Sequence, residues 1–331
     1  MNSKAQTMSR DQARWLRSRR SGIGASECPA ALGQSPWSSP YSLYQSKVNP
    51  QDEGESDEEN AAMHWGSQLE PAIRREVKDR LGQPVTNPGR YTMVRHPVDK
   101  HMFCTLDGKL EGITPAVRDL FGRGNIADGY ESSLEGAGVL QIKTTNAFAG
   151  SDWDHSWPVY YQCQCQHELY VTGSTWGVLA VLIGGQDFRM LPYVLYDEFV
   201  NPMVRGLADF WGRVVRREPP PVDGSQATAV ALAALYPEAS GSTCDLPDEA
   251  AQWTADLDRL SAVAAGTAEQ IEALRNRIRL AMGDSSFGLL PDGRKWSWKT
   301  RKASSYTVTR KASRSLIKPR ASKFPGSISA P

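Results

Sequence analysis

The 331-residue chain predicts an α/β or α+β core followed by a helical and basic extension. Three observations carry this. Helix-period and strand-period segments interleave through the first two hundred residues. A 4-3 apolar spacing then runs from Trp253 to Ala281. After Asp292 the chain holds eleven Lys and Arg and no Asp or Glu.

Taken in order, the first periodic segment is Trp65, Leu69, Ile73, Val77 and Leu81, one face of a helix closed by Gly82. Pro71 inside it predicts either a kink or a helix that starts close enough for Pro71 to fall in its first turn. Two strand-like runs follow, 91–94 and 102–106, the second stopping at an Asp107-Gly108 turn signal. Residues 111–138 read as an inserted loop with a short helix near 115–121. Residues 139–145 make the strongest strand pattern. Pro158 opens a helix that Gly173 closes, 176–183 is a buried strand, and 188–195 is its neighbour.

Pro219-Pro220-Pro221 marks a boundary, giving a domain over 1–225 and an extension over 226–331. In the extension, Trp253, Leu257, Leu260, Ala264, Ile271, Leu274, Ile278 and Ala281 lie on one helical face, with Gly266 as the expected break. That helix reads as a strut on the N-terminal body in preference to an intermolecular coiled coil. Leu290-Pro291-Asp292-Gly293 is a turn signal, and Trp296 and Trp298 share one strand face, expected to pack against a neighbour more than to stack on bases.

Composition narrows the function. With 40% hydrophobic and 23% charged residues the chain is neither fibrous nor disordered. No apolar run reaches a membrane span and the first twenty residues lack a signal-peptide core, so the expected location is the cytoplasm. Five cysteines without framework spacing exclude a disulfide scaffold. Cys163 and Cys165 are joined by no second Cys group that could build zinc or iron–sulfur ligation, and no Gly-rich loop suits ATP. The net charge of +1 conceals segregation: arginines crowd 10–20, acids crowd 52–59, and the last forty residues are cationic, which favours a polyanion such as nucleic acid.

Two groups of residues suggest chemistry. Gln141 and Lys143 project from one face of a strand, and Asp107 ends another. An acidic side chain facing such a strand can hold a hard cation, with lysine beside it to activate water. An exposed polar strand tip accounts for the same residues equally well. Ser26 stands where a helix could begin, with Pro29 in its first turn and Gly33 at its end. Its hydroxyl, free helix N–H groups and Arg19 could receive a phosphate, although an ordinary N-cap beside a surface arginine reads the same way.

Several blocks in order resemble the YqaJ-like viral recombinases, relatives of phage lambda exonuclease among the PD-(D/E)xK nucleases. They are Trp15-x-x-x-Arg19 with 22–27; 32–41, containing Ser35-Pro36-Trp37; Trp65-Gly66-x-x-x-Glu70; His96-Pro97 with 104–108; Leu140-Gln141-Ile142-Lys143; and 164–173. The resemblance spans about residues 13–200.

It implies an α/β core with a central mixed sheet flanked by helices, and a Mg²⁺-dependent exonuclease, with Mn²⁺ as substitute. The enzyme would digest duplex DNA from its 5′ ends and leave single strand for an annealing partner in phage recombination. By position, Asp107, Gln141 and the Ile142 carbonyl would hold metal, supported by Glu70, and Lys143 would activate water. Gln166 and Tyr170, four apart on a helix, would both reach the site, with Gln164 the weaker choice. Arg19 and Ser26 would bind a 5′-phosphate, and copies would form a ring around DNA. Two departures stand out: Gln141 occupies a slot expected to be acidic, and the long interval from Asp107 to Lys143 makes Asp128 a competing ligand. They leave two alternatives, a catalytically weakened DNA-end-binding module and an endonuclease acting on host DNA.

Overall fold

A computed structural model describes residues 9–49, 61–124, 130–147, 153, 156–305, 314 and 316. These fall into two compact units, within 1–235 and 236–331. The first unit opens with helices α1 (Arg10–Arg19), α2 (Cys28–Ala31) and α3 (Pro40–Val48), and with strand β1 (Ile23–Gly24) between α1 and α2. Next come α4 (Ala61–Leu81), β2 (Val85–Thr86), β3 (Val94–Arg95), β4 (Met102–Cys104), β5 (Gly108–Leu110), α5 (Pro115–Arg123) and β6 (Gly138–Thr145). The unit closes with α6 (Val159–Thr172), β7 (Trp176–Ile183), β8 (Asp187–Val194), α7 (Asp197–Arg216) and α8 (Gln226–Leu235). The second unit holds α9 (Glu249–Met282) and the hairpin β9 (Phe287–Leu289) with β10 (Lys295–Ser297).

The expected α/β core, a central mixed sheet flanked by helices, is what the chain forms. Its order is β2-β5-β6-β7-β8, with β6 and β7 parallel and the other pairs antiparallel. A smaller sheet, β1-β4-β3, lies apart from it in hydrogen bonding. Strand periodicity divides the core. Val139, Leu179 and Val181 pack with Cys163, Cys165, Leu169 and Leu207 in one cluster, while Leu140, Ile142, Val178 and Ala180 pack with Ile73, Val77 and Phe121 in another. The first face is therefore covered by α6 and α7, the second by α4 and α5. No helix among the described residues is long and apolar enough to cross a membrane.

Five expectations are corrected. Asp107-Gly108 is no hairpin turn: it is where the chain leaves the small sheet and Gly108 enters the large one opposite Leu140. A Cβ at Gly108 would meet Val85 at 2.9 Å and Leu140 at 3.1 Å, so close packing, not turn geometry, is what glycine serves there. Pro71 lies in the interior of α4, well past its first turn. α9 runs unbroken through Gly266, because one glycine costs only about 1 kcal/mol against a 34-residue helix. The run 91–94 contributes only Val94 to a strand. Trp296 and Trp298, expected to pack, are half exposed.

Candidate active site at a split in the sheet

β5 pairs with β6 only as far as Gly108 opposite Leu140, and beyond that register β6 has no strand neighbour on this edge among the described residues. Its next outward-facing backbone groups would be buried and unpaired, which a fold does not leave unanswered. Asp107 answers: its Oδ2 accepts the Ile142 amide at 2.8 Å and the Gln141 Nε2 at 2.6 Å. Gln141 Nε2 also approaches the Ile142 carbonyl at 3.3 Å. The residue that ends one pairing thus fills the edge it opened.

Both sheet faces contribute side chains. From α4, Arg74 Nε donates to the Asp107 carbonyl at 2.9 Å, and its Nη2 lies 3.8 Å from Glu70 Oε2. From α6, the Tyr161 ring lies 5.6 Å from Lys143 Nζ. Burial raises the Asp107 carboxyl above its ordinary value against the pull of Lys143, the Ile142 amide and Arg74. Glu70 is raised first by burial and then by the charge of Asp107. Two carboxylates held above their usual range by burial and, at Glu70, by mutual repulsion suit a cation, which would relieve both.

Whether these residues fit a cation turns on Gln141. Among the described residues its Oε1 is buried with no hydrogen-bond partner, which costs about 1–3 kcal/mol. Its Nε2 stands between two oxygens, those of Asp107 and Ile142. Turning the amide over would aim the orphaned oxygen at the same spot, and the two amide orientations are distinguished only by their partners. Asp107, Gln141 Oε1 and the Ile142 carbonyl then form an all-oxygen set of the kind hard cations take, with Glu70 nearby. Among the described residues no three His, Cys, Asp or Glu side chains gather as a metal site. Gln141, in a slot expected to be acidic, keeps the count down. Asp128 lies outside the described residues.

Other assignments change. Gln166 commits both amide atoms elsewhere, donating to the Val194 carbonyl at 2.7 Å and accepting from the Tyr196 amide at 3.0 Å. Tyr170 donates to Asp99 at 2.5 Å and stacks on His96. They hold α6 to its surroundings. The helix turn that looks to the site instead carries Gln164 and Glu168, joined at 2.9 Å. Glu168 is fully buried, and burial plus the charge of Asp107 pushes it up to about 8. Sequence reading passed over it, although its four-residue spacing from Gln164 was a usable signal.

Glu168 yields a stability prediction. The folded chain keeps a proton on it up to about pH 8, whereas the unfolded chain releases it near 4.5, so its contribution to stability falls as pH rises between those values. Glu168→Gln should flatten that decline. The melting temperature of the variant relative to the parent, measured in chelator at pH 5 and pH 8.5, should rise with pH; a constant difference would refute it.

The N-terminal cluster also differs from expectation. Ser26 is exposed and caps nothing: α2 begins after Glu27 and is four residues long, too short to present a useful N-terminus. Glu27 dominates instead. It accepts from Arg19 at 3.1 Å, Lys47 at 2.8 Å and the Gly24 amide at 2.8 Å, and Lys47 and Arg19 outweigh burial to hold its carboxyl below the usual range. Arg19 Nη2 still lies 3.5 Å from Ser26 Oγ, and its guanidinium covers Trp15, whose Nε1 donates to Thr105 two residues before Asp107. His167 is buried against the Phe103 carbonyl and pushed down to about 4, a core residue.

Residues 14–175 match the YqaJ-like viral recombinase domain. The uncharacterized protein YqaJ of Bacillus subtilis (strain 168) is 28% identical over 292 residues, covering 86% of this chain and 81% of that protein. Among solved structures, LHK-Exo in complex with dAMP aligns at 18% identity and a TM-score of 0.48 over 62% of this chain and 94% of its own. The alkaline exonuclease LHK-Exo from Laribacter hongkongensis aligns at 17% identity and 0.46 over the same shares.

Proposed function

The chain carries a YqaJ-like viral recombinase domain at residues 14–175, and on that premise we propose a Mg²⁺-dependent exonuclease that digests linear duplex DNA from its 5′ ends. Its product is single strand for an annealing protein. The observation that supports this best is the buried carboxylate of Asp107 at the split, beside the orphaned Gln141 oxygen, the Ile142 carbonyl and Lys143.

Asp107, Gln141 and the Ile142 carbonyl would hold the metal, Glu70 would support it, and Mn²⁺ could substitute. Bound there, it would supply a lowered water pKa and a charge to offset that developing on the phosphate. Lys143, from the same strand face as Gln141, orients the attacking water and takes part of that charge. Tyr161 presents its ring to the lysine, 5.6 Å from Nζ. Arg74 fixes both the Asp107 backbone and Glu70, so that the two carboxylates are held in place. Arg19, with Lys47 behind it, binds the terminal phosphate in place of its contact to Glu27.

The test uses three substrates: linear duplex with 5′-phosphate ends, the same duplex with 5′-hydroxyl ends, and a covalently closed circle. With millimolar Mg²⁺ the phosphorylated ends should be degraded fastest and the circle spared, and Arg19→Ala should erase the preference between ends. Cleavage of the circle would identify an endonuclease. Equal rates on both ends in the parent protein would remove the phosphate pocket. The Nε2 position of Gln141 supports one second reading, a DNA-end-binding module that has lost catalysis.

A further inference from the structure

α9 carries an unbroken 4-3 strip about 40 Å long, at 1.5 Å per residue, from Trp253 to Ala281. Among the described residues of its own unit nothing covers its large members: Trp253, Leu257, Leu260, Ile271 and Leu274 are 44–61% exposed. A solvated helix gains nothing from so regular an apolar seam, which is the pattern by which two helices bury each other.

We propose that the strip pairs with α9 of a second copy of this chain, in antiparallel register. Three observations select that occupant. The strip complements itself when reversed: Trp253 falls level with Ile278 of the other copy, Leu257 with Leu274, Leu260 with Ile271, and Ala264 with Thr267. Every layer then joins residues of compatible size, with small ones at the centre. A parallel pair would instead stack Trp253 on Trp253 and Ala264 on Ala264.

Charge gives the second argument. The same register sets Asp256, on the flank of the seam, opposite Arg277 of the other copy, twice per dimer by symmetry. In a parallel pair Asp256 faces Ser261 and Arg277 faces Met282, with no ionic match. The third argument is a groove of about 170 Å³ at the end of the strip, where Ile278, Met282, Trp296 and Trp298 form the apolar wall and Arg275 and Arg279 also line it. Trp253 of the second copy arrives at this groove, between the half-exposed tryptophans that the hairpin presents.

The experiment is sedimentation of the full chain across a concentration series. The parent should associate at micromolar concentrations through a two-copy contact. Leu257→Asp with Leu274→Asp should halve the assembly. Asp256→Arg alone and Arg277→Asp alone should each weaken it about tenfold, and the two together should restore it. These charged positions are exposed, so the swap decides the matter even if the leucine variant unfolds α9. A parent that stays monomeric at tens of micromolar overturns the proposal, as does an assembly insensitive to the leucine changes. Failure of the double charge reversal to recover association overturns the antiparallel pairing. None of these outcomes depends on nuclease activity.

Discussion

Asp107→Asn is expected to lower cleavage of linear duplex DNA by about a thousandfold or more while DNA binding persists. The loss follows from removing the one full negative charge that faces the Gln141 and Ile142 oxygens, on the scale of ~4 kcal/mol for a preorganised electrostatic contact. Asparagine keeps an oxygen for the Ile142 amide, so the sheet edge stays satisfied. Asp107→Ala would orphan that buried N–H and confound chemistry with about 1–3 kcal/mol of stability. Lys143→Ala should fall in the same direction. Lys143 lies over the Tyr161 ring and bears on Asp107 through its charge, and among the described residues it donates no hydrogen bond whose loss would strand a buried acceptor. The measurement pairs a cleavage rate with a binding isotherm and a melting curve for each variant. Normal cleavage by Asp107→Asn and Lys143→Ala, with normal stability, would eliminate the proposed site.

Gln141→Glu carries the second large effect, because it adds a charge where the parent has an amide. Without metal, the new carboxylate lies against Asp107 Oδ2, where the parent has a 2.6 Å hydrogen bond. Two like charges so close raise one pKa strongly and destabilise the fold. With Mg²⁺ the same pair becomes a better ligand set. The variant should therefore melt lower than the parent in chelator and recover with millimolar Mg²⁺, since a ligand that binds only the folded state stabilises it. Its half-maximal metal concentration for cleavage should fall about tenfold. A melting temperature indifferent to Mg²⁺ would place the cation elsewhere. A parent inactive at all metal concentrations beside an active Gln141→Glu would favour the end-binding reading.

Elements with a continuous pattern were legible in the chain. The helix of Ile73, Val77 and Leu81, the strand 139–145, the helix between Pro158 and Gly173 and the strand 176–183 all form near their expected bounds. Period fixes these, because one face of each must be buried whatever it meets. Short pieces were not legible. β1, β2 and β3 have two residues each and exist only because partners stand beside them.

The sequence by itself determined that Gln141 and Lys143 share a strand face, that the core is built of interleaved helices and strands, and that α9 bears an apolar seam. Those are consequences of backbone period, which is local. The tertiary structure alone decided what Asp107 does, since its partner Ile142 lies thirty-five residues away and becomes available only where β5 leaves β6. It also decided that Glu168 rather than Tyr170 feels the charge of Asp107, and that Glu27 stands against Arg19. Hydrogen bonding and desolvation depend on which groups a fold brings together, and no spacing along the chain encodes that neighbourhood.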